Sequence, residues 1–302
     1  MRLAIWLCAA LTAAGGSMQT FRTDVDAVRV DVLVTDRNRP IAGLSKSDFV
    51  LRDNGVEQRI DSISMEEVPF SMLLALDTSS SLSGPALADL KQAARTAVSA
   101  LRSTDRASVV TFSDVLRRRA PWNPNNPTLA AAIDATQASG PTALFDAAFA
   151  ALSARDPLPG RRGLIVLFTD GDDTSSWLPS GTVLDRGSRT DAVVYVVTTV
   201  LPSSSPDRRL YYRSGIRLTP DIDTVDRSSF LREIADRTGG DLLITDTKGL
   251  PATFERIVGE FRRRYLVSYM PSGVEAGGWH EIDVTLKNRR GKVTARRGYQ
   301  RQ

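Results

Sequence analysis

The chain has 302 residues, 42% of them apolar and 25% charged, with a formal net charge of +4 and one cysteine. That is enough apolar content for one large domain, or for a medium domain with a smaller partner. The sole cysteine, Cys8, lies in the leader described below, so the mature chain has no disulfide, no thiolate nucleophile and no cysteine-based zinc site. The basic pI of 9.4 reflects an excess of arginine. Its pairs and triplets (Arg117–Arg119, Arg161-Arg162, Arg262–Arg264, Arg289-Arg290, Arg296-Arg297) are dispersed and not interleaved with aromatics. They read as solvated faces, and no nucleic-acid partner is expected.

Residues 1–16 read as a secretory signal: Arg2 is the positive start, Leu3–Leu11 the apolar centre and Ala13–Gly16 a small-residue cleavage region. The apolar run is well short of the ~20 residues that span a bilayer, so no membrane span is expected. Leu7 stands where a lipoprotein signal carries a small residue before its cysteine. The expected location is therefore secreted, periplasmic or cell-surface by bacterial-type export, with a mature chain starting near Ser17.

From Ala27 to Thr35 the chain alternates, with Val28, Val30, Val32 and Val34 on one face, as in a half-buried strand. Asp36–Pro40 is a turn, and Asp53-Asn54-Gly55 is a hairpin signal between strands at Phe49–Arg52 and Gln58–Ser64. Ser71–Leu76 is a short apolar run, as in a strand buried on both faces of a parallel sheet. It ends in Asp77, followed by Ser79 and Ser81. Next come a helix with Leu87, Leu90, Ala94, Val98 and Leu101 in register (Ser83 as cap, Pro85 in its first turn) and a strand at Arg106–Phe112. A Pro/Asn loop at Trp122–Pro127 leads to short helices at Leu129–Ala135 and Thr142–Ala154. Gly163–Asp170 is a second buried strand ending in Asp170-Gly171, and Asp191–Thr199 another apolar strand. Leu201–Asp226, rich in Ser, Pro, Arg and Asp, reads as a surface insertion. A helix at Ser229–Arg237, a strand at Asp241–Thr245 and a helix at Leu250–Arg263 follow. Alternating strands then return at Tyr265–Met270, Trp279–Lys287 and Lys292–Arg297.

Strands alternating with helices imply right-handed crossovers and an α/β, doubly wound, mostly parallel sheet. The two chain ends are expected to share a small antiparallel β-domain, since neither has enough strands for a dependable core alone. The expected organisation is a leader at 1–16, a β segment at 20–68, an α/β domain at 69–263, and a β segment at 264–302 packing with 20–68.

A carboxylate with hydroxyls at +2 and +4, just past a buried strand, lies where open α/β sheets place their ligands. Such hard oxygens suit Mg²⁺ or a similar cation rather than zinc or copper, although the same five residues also suit a helix-capping turn. Two later stretches bear on the choice, because Thr142 follows Gly140-Pro141 and Asp170 ends a second buried strand. The set Asp77/Ser79/Ser81, Thr142 and Asp170-Gly171 resembles the metal-ion-dependent adhesion site of von Willebrand factor A domains, a Rossmann-like fold also found in integrin inserted domains. The segment VRVDVLVTDRNRPIAGLSKSDFVLRDNGVEQRI is similar in pattern to the leading part of a bacterial secreted family related to these domains.

The resemblance implies that Asp77, Ser79, Ser81 and Thr142 surround the cation, with Asp170 ligating directly or through water. The cation would be Mg²⁺, or alternatively Mn²⁺ or Ca²⁺. The partner would be a protein presenting Asp or Glu to it. Asp77→Ala should then remove metal binding while changing stability little, if the site is a surface crevice.

Other chemistries fit less well. A phosphotransferase with an Asp77 nucleophile needs an acid two residues on, where Ser79 stands. His280, the only histidine, sits in a terminal strand pattern without a nucleophile-elbow motif and reads as a surface or strand-edge residue. No phosphate-cradling loop or dinucleotide fingerprint occurs. Asp172-Asp173 reads as an acidic loop facing water, with a second cation as its other reading. The expectation is a non-enzymatic interaction module, with a cation-dependent enzyme or a purely structural cation as alternatives.

Overall fold

The computed structural model describes residues 27–65, 68–124, 127–171, 173–199 and 227–301. The leader at 1–16, the insertion at Leu201–Asp226 and Asp172 lie outside the described residues. The N-terminal part contains β1 (Val28–Asp36), β2 (Arg39–Pro40), β3 (Phe49–Asp53), β4 (Val56–Gln58) and β5 (Ile60–Met65). The α/β part runs β6 (Phe70–Asp77), α1 (Pro85–Ser99), β7 (Arg106–Phe112), β8 (Leu116–Pro124), α2 (Pro127–Asp134), α3 (Leu144–Ser153) and β9 (Arg162–Thr169). It continues through α4 (Ser180–Ser188), β10 (Val193–Thr198), α5 (Arg227–Thr238), β11 (Leu242–Ile244) and α6 (Leu250–Arg262). The chain closes with β12 (Tyr265–Tyr269), β13 (Gly278–Leu286), β14 (Lys292–Thr294) and β15 (Gly298–Arg301).

The central sheet has the order β11-β10-β9-β6-β7-β8, parallel except for β8, which runs antiparallel to β7 at the edge. Every residue of β6 is buried, as expected of a strand covered on both faces. Met72, Leu74 and Leu76 pack into a core with α1, α2 and α6, while Leu73 and Ala75 pack into a second core with α3, α4 and α5. The helix α1 begins at Pro85, with Gly84 rather than Ser83 in the capping position. Four elements, β2, β8, α4 and β15, have no counterpart in the sequence reading. Residues 122–124 belong to β8 instead of a loop, and α4 follows the second site strand. The helical pattern of α4 is diluted by Gly181 and Gly187, and the end of the Ile234 side chain packs directly against Gly187.

The two chain ends build a β-sandwich. One sheet is ordered β14-β1-β12-β5, with β2 on β1, and the other β15-β13-β3-β4. Here β1 pairs antiparallel with β12, which also pairs with β5, so a C-terminal strand lies between two N-terminal ones. In the second sheet β3 pairs with β13 across the chain ends. The tight turn at Asn54-Gly55, both at positive φ, joins β3 to β4 as the Asp-Asn-Gly signal predicted. The valines of β1 fill a core with Leu51, Tyr265, Val267, Ile282 and Val284.

His280 is neither at the surface nor on an edge strand, because β13 is interior to its sheet and the side chain is 0% exposed. Its Nδ1 lies 2.7 Å from Asp53 Oδ1, and Asp53 Oδ2 accepts hydrogen bonds from the hydroxyls of Tyr269 (2.7 Å) and Tyr299 (2.9 Å). His280 also stacks on Tyr299. The histidine therefore completes a buried polar network, which a one-sided alternation pattern cannot distinguish from a surface position.

The sandwich and the α/β part are joined through arginines. Arg162, at the start of β9, donates from Nε to Asp31 Oδ1 of β1 (2.6 Å) and lies over the Phe261 ring. Arg264, fully buried between α6 and β12, donates to Gly239 O (2.6 Å) and the Tyr195 hydroxyl (3.1 Å). Arg296 pairs with Asp191 at 2.7 Å.

A candidate metal centre at the ends of the two central strands

β6 and β9 are adjacent and parallel, in register from Phe70↔Arg162 to Leu76↔Phe168. Their C-terminal residues Asp77 and Thr169 therefore end side by side, and Asp170 follows at once. This juxtaposition comes from the parallel pairing, because the two stretches lie far apart in sequence.

Asp77 is 0% exposed. Its Oδ1 accepts from the Ser79 backbone N–H (2.9 Å) and its Oδ2 from the Thr169 hydroxyl (2.7 Å). Ser79 Oγ lies 3.0 Å from Ser81 Oγ, and Ser81 Oγ donates to Asp170 Oδ1 at 3.0 Å. Thr142 lies beside Gly171, the residue after Asp170: a β-carbon at Gly171 would lie 3.7 Å from its Oγ1. The structure thus links Asp77, Ser79, Ser81 and Asp170 through hydrogen bonds, with Thr142 beside the following Gly171. Burial pushes the Asp77 carboxyl up to about 6, the nearby Asp170 charge adds to this, and the hydrogen bonds from Thr169 and Ser79 oppose it. Among the described residues no Lys, Arg or His forms an ion pair with Asp77.

The loops around this cluster are tied to one another. Ser80 donates from its backbone N–H and from its hydroxyl to Gly140 O (2.9 and 3.0 Å), and Ser139 N donates to Thr78 O (2.8 Å). Gly140 is at φ +78°, and a β-carbon there would come within 2.7 Å of Asp114 Oδ1, so this turn requires glycine. Thr142 O accepts from the backbone N–H groups of Thr174 (2.8 Å) and Ser175 (3.1 Å).

Asp173 is not a residue facing water. It is partly buried, and its Oδ1 accepts from the N–H of Leu144 (2.8 Å) and of Phe145 (3.3 Å), capping α3 from another segment. Burial raises its carboxyl above the ordinary value. Asp146, within α3, reciprocates by accepting from Trp177 N (3.0 Å) and Leu178 N (2.9 Å). Trp177, at the crest of this doubly fastened loop, is 94% exposed. Sequence reading missed Thr169, Asp146 and Trp177, and took Asp173 for a water-facing residue. Only the tail of the second strand motif (GLIVLFTD) carried a signal for the first of these.

The donor set consists of carboxylate and hydroxyl oxygens, which suits a hard divalent cation. Among the described residues no group of three or more His, Cys, Asp or Glu side chains is arranged to hold a metal ion, so a nitrogen- or sulfur-ligated centre is not formed there. The buried Asp77 carboxylate without a basic partner matches what a cation-binding group requires. The residues fit.

Comparison with known proteins agrees with this geometry. Residues 72–172 match the family model of the von Willebrand factor type A domain. That span covers β6 through the residues following β9, and thus all five site residues. No curated protein sequence matches the chain. Among solved structures, the fold is similar to a von Willebrand factor type A protein from Catenulispora acidiphila, with TM-score 0.53 and 14% identity over 89% of this chain and 75% of the other. It is also similar to proximal thread matrix protein 1 from the mussel byssus, solved with a zinc-occupied MIDAS motif. That match has TM-score 0.52 and 15% identity over 69% of this chain and 49% of that protein. The α/β part of this chain thus has the fold of a von Willebrand factor type A domain, and residues 72–172 match that family's model.

Proposed function

We propose that the chain is an exported, non-enzymatic interaction module that holds a divalent cation among Asp77, Ser79, Ser81, Thr142 and Asp170 and thereby binds a carboxylate of a protein partner. The observation that carries this reading is Asp77, a fully buried carboxylate with no basic partner among the described residues, facing hydroxyls and a second carboxylate. Buried charges persist in proteins when they are paired or when they coordinate metal. The zinc-occupied motif of the mussel protein supports cation binding by this fold. The oxygen donors here favour Mg²⁺, then Mn²⁺ or Ca²⁺.

A bound cation would supply positive charge and coordination positions for an incoming Asp or Glu. The chain's own residues do the rest. Asp77 is oriented by Thr169 and the Ser79 N–H, while Ser81 orients Asp170. Thr142 is held by the Thr174–Ser175 backbone. Trp177 stands on a loop fastened at both Asp146 and Asp173. A rigid, exposed tryptophan is the side chain best suited to anchor a partner. An interaction role is preferred to an enzyme because the only histidine of the chain is sealed in the β-sandwich, away from the site.

Calorimetric titration with Mg²⁺, Mn²⁺ and Zn²⁺ tests the centre: wild type binds and Asp77→Ala does not. Failure of wild type to bind any of them at millimolar concentration rejects it. Capture of protein from the extracellular fraction, with and without chelator, tests the partner. Trp177→Ala should weaken capture while leaving cation affinity unchanged. Sequencing of the protein from its native host should find a mature N-terminus near Ser17.

A further inference from the structure

At the opposite end of the central sheet, the sandwich and the α/β part enclose a groove of about 950 Å³. It opens beside Arg162, the first residue of β9, whereas the candidate metal centre lies beyond Thr169, the last. At about 3.3 Å per residue the two are separated by about 23 Å along the strand. Among the described residues, eight arginines line the groove against two carboxylates, Asp31 and Asp191. Both acids are already in ion pairs, with Arg162 and Arg296. The arginines come from β1, the α3–β9 connection, α4 with the residue after it, and the last strands. Dispersed in sequence, they converge only in the folded chain.

Their hydrogen bonds divide them into two groups. Arg161, Arg162 and Arg296 are held within the protein, as when Arg161 donates to Phe70 O and the Ser71 hydroxyl. Arg186 is held only by the Ser153 hydroxyl. The side chains of Arg29, Arg155, Arg189 and Arg301 have no hydrogen-bond or ion-pair partner among the described residues, and the first three residues are exposed. A second, independent observation comes from Arg296. This residue is only 9% exposed and lines the groove, and its buried Nε–H finds no acceptor among the described residues. Such an unsatisfied buried donor costs free energy, as does holding so many like charges around one concavity.

We infer that this groove is a binding site for phosphate groups, carried either by a free oligophosphate or by a phosphate-bearing lipid headgroup. Guanidinium groups present donors in planar forks that match phosphate oxygens. A carboxylate has two oxygens and one charge and is satisfied by one arginine, as Asp31 and Asp191 each are here. A cluster of arginines in excess of its carboxylates instead suits a ligand with several oxygens and charges on closely spaced atoms. The ~950 Å³ groove has the size of a small-ligand pocket.

The test is titration of the full chain with tripolyphosphate in EDTA, so that the candidate metal centre takes no part. A parallel arm uses phosphatidylcholine vesicles containing phosphatidic acid. Arg155→Ala/Arg189→Ala changes two exposed, unpartnered side chains and should leave melting unchanged. It is expected to weaken binding about tenfold or more, the equivalent of about 1.4 kcal/mol. The control Arg117→Ala/Arg118→Ala removes two exposed arginines of β8, outside the groove, and should weaken it less than about twofold. Groove-dependent binding of tripolyphosphate supports the site with free phosphate as the source, and groove-dependent binding of vesicles alone supports it with the headgroup as the source. The inference is overturned if neither probe binds, if both double variants lose binding equally, or if oligoglutamate binds more tightly than either phosphate probe.

Discussion

Asp77 is a fully buried carboxylate at the end of β6 with no basic partner among the described residues. The crevice expectation implied that removing it would leave stability almost unchanged, but the residue is 0% exposed and its neighbours Ser79 and Thr142 are 2% and 5% exposed. A buried carboxylate without a cationic partner opposes folding, so in chelator Asp77→Asn should be more stable than wild type, by about 1–3 kcal/mol. Asn keeps an acceptor for the Ser79 N–H, and Thr169 can turn its hydroxyl to Gly171 O, already 3.3 Å away. Added Mg²⁺ should raise the melting temperature of wild type and not that of the variant, since only ligand binding to the native state shifts the equilibrium. Differential scanning calorimetry with and without Mg²⁺ decides this. A variant less stable than wild type in chelator would show that Asp77 is compensated in some other way.

The informative elements are the connections. Helix α3 lacks a cap of its own at Ala143, and Asp173 supplies one from the loop after β9. Asp173→Ala should therefore cost about 1–2 kcal/mol in urea unfolding, whereas Asp173→Asn, which keeps the acceptor, should cost much less. Helix α5 is tied to the last strands through Glu233, which accepts from Arg237 Nε (2.7 Å) and Arg297 Nη1 (3.0 Å). The Arg237 hydrogen bond is the main cause holding the Glu233 carboxyl below its ordinary 4.5. A depressed folded-state value means that the contribution is fully present above about 4.5 and is lost as pH falls through the lower, folded value. The melting difference between wild type and Glu233→Gln should therefore be constant from pH 7 to 5 and shrink below pH 4.5. A difference that persists at pH 3 would place the tie in packing rather than charge.

For the whole molecule, the decisive feature is that β12 lies between β1 and β5. A chain ending at Arg264 loses β12–β15 and exposes Val28, Val30 and Val32 along an unpaired edge, which should cause aggregation on expression. Unchanged solubility and melting of that truncation would contradict interdependence of the two chain ends. The Asp31–Arg162 pair is 10% and 3% exposed in its side chains. Asp31→Ala leaves a buried guanidinium with only the Phe261 carbonyl and ring, and should cost about 3 kcal/mol or more in chemical unfolding. Because this pair also lines the arginine groove, it is a poor choice for testing anion binding, whereas the unpartnered Arg155 and Arg189 are suitable.

What the sequence by itself determined was local and periodic. Full burial on both faces leaves an unbroken apolar run, so β6 and β9 were legible as parallel strands, and the Asp-x-Ser-x-Ser spacing lay just past the first. Alternation revealed β1, β12 and β13, and Asn54-Gly55 announced its turn because few residues tolerate two successive positive φ values. The tertiary structure decided everything that depends on which strand lies beside which. The pairing of β6 with β9 sets Thr169 against Asp77, and Asp173 is a cap only because its loop folds back onto α3. In the same way, a buried histidine on an alternating strand and a surface one share a period of two, so only packing against Asp53 and Tyr299 separates them. The arginines show the contrast most clearly. Charges dispersed along the chain read as solvated faces, yet chain reversal at the junction of sandwich and α/β sheet gathers eight of them around one groove. Spatial convergence is a property of topology, and no local pattern in sequence records it.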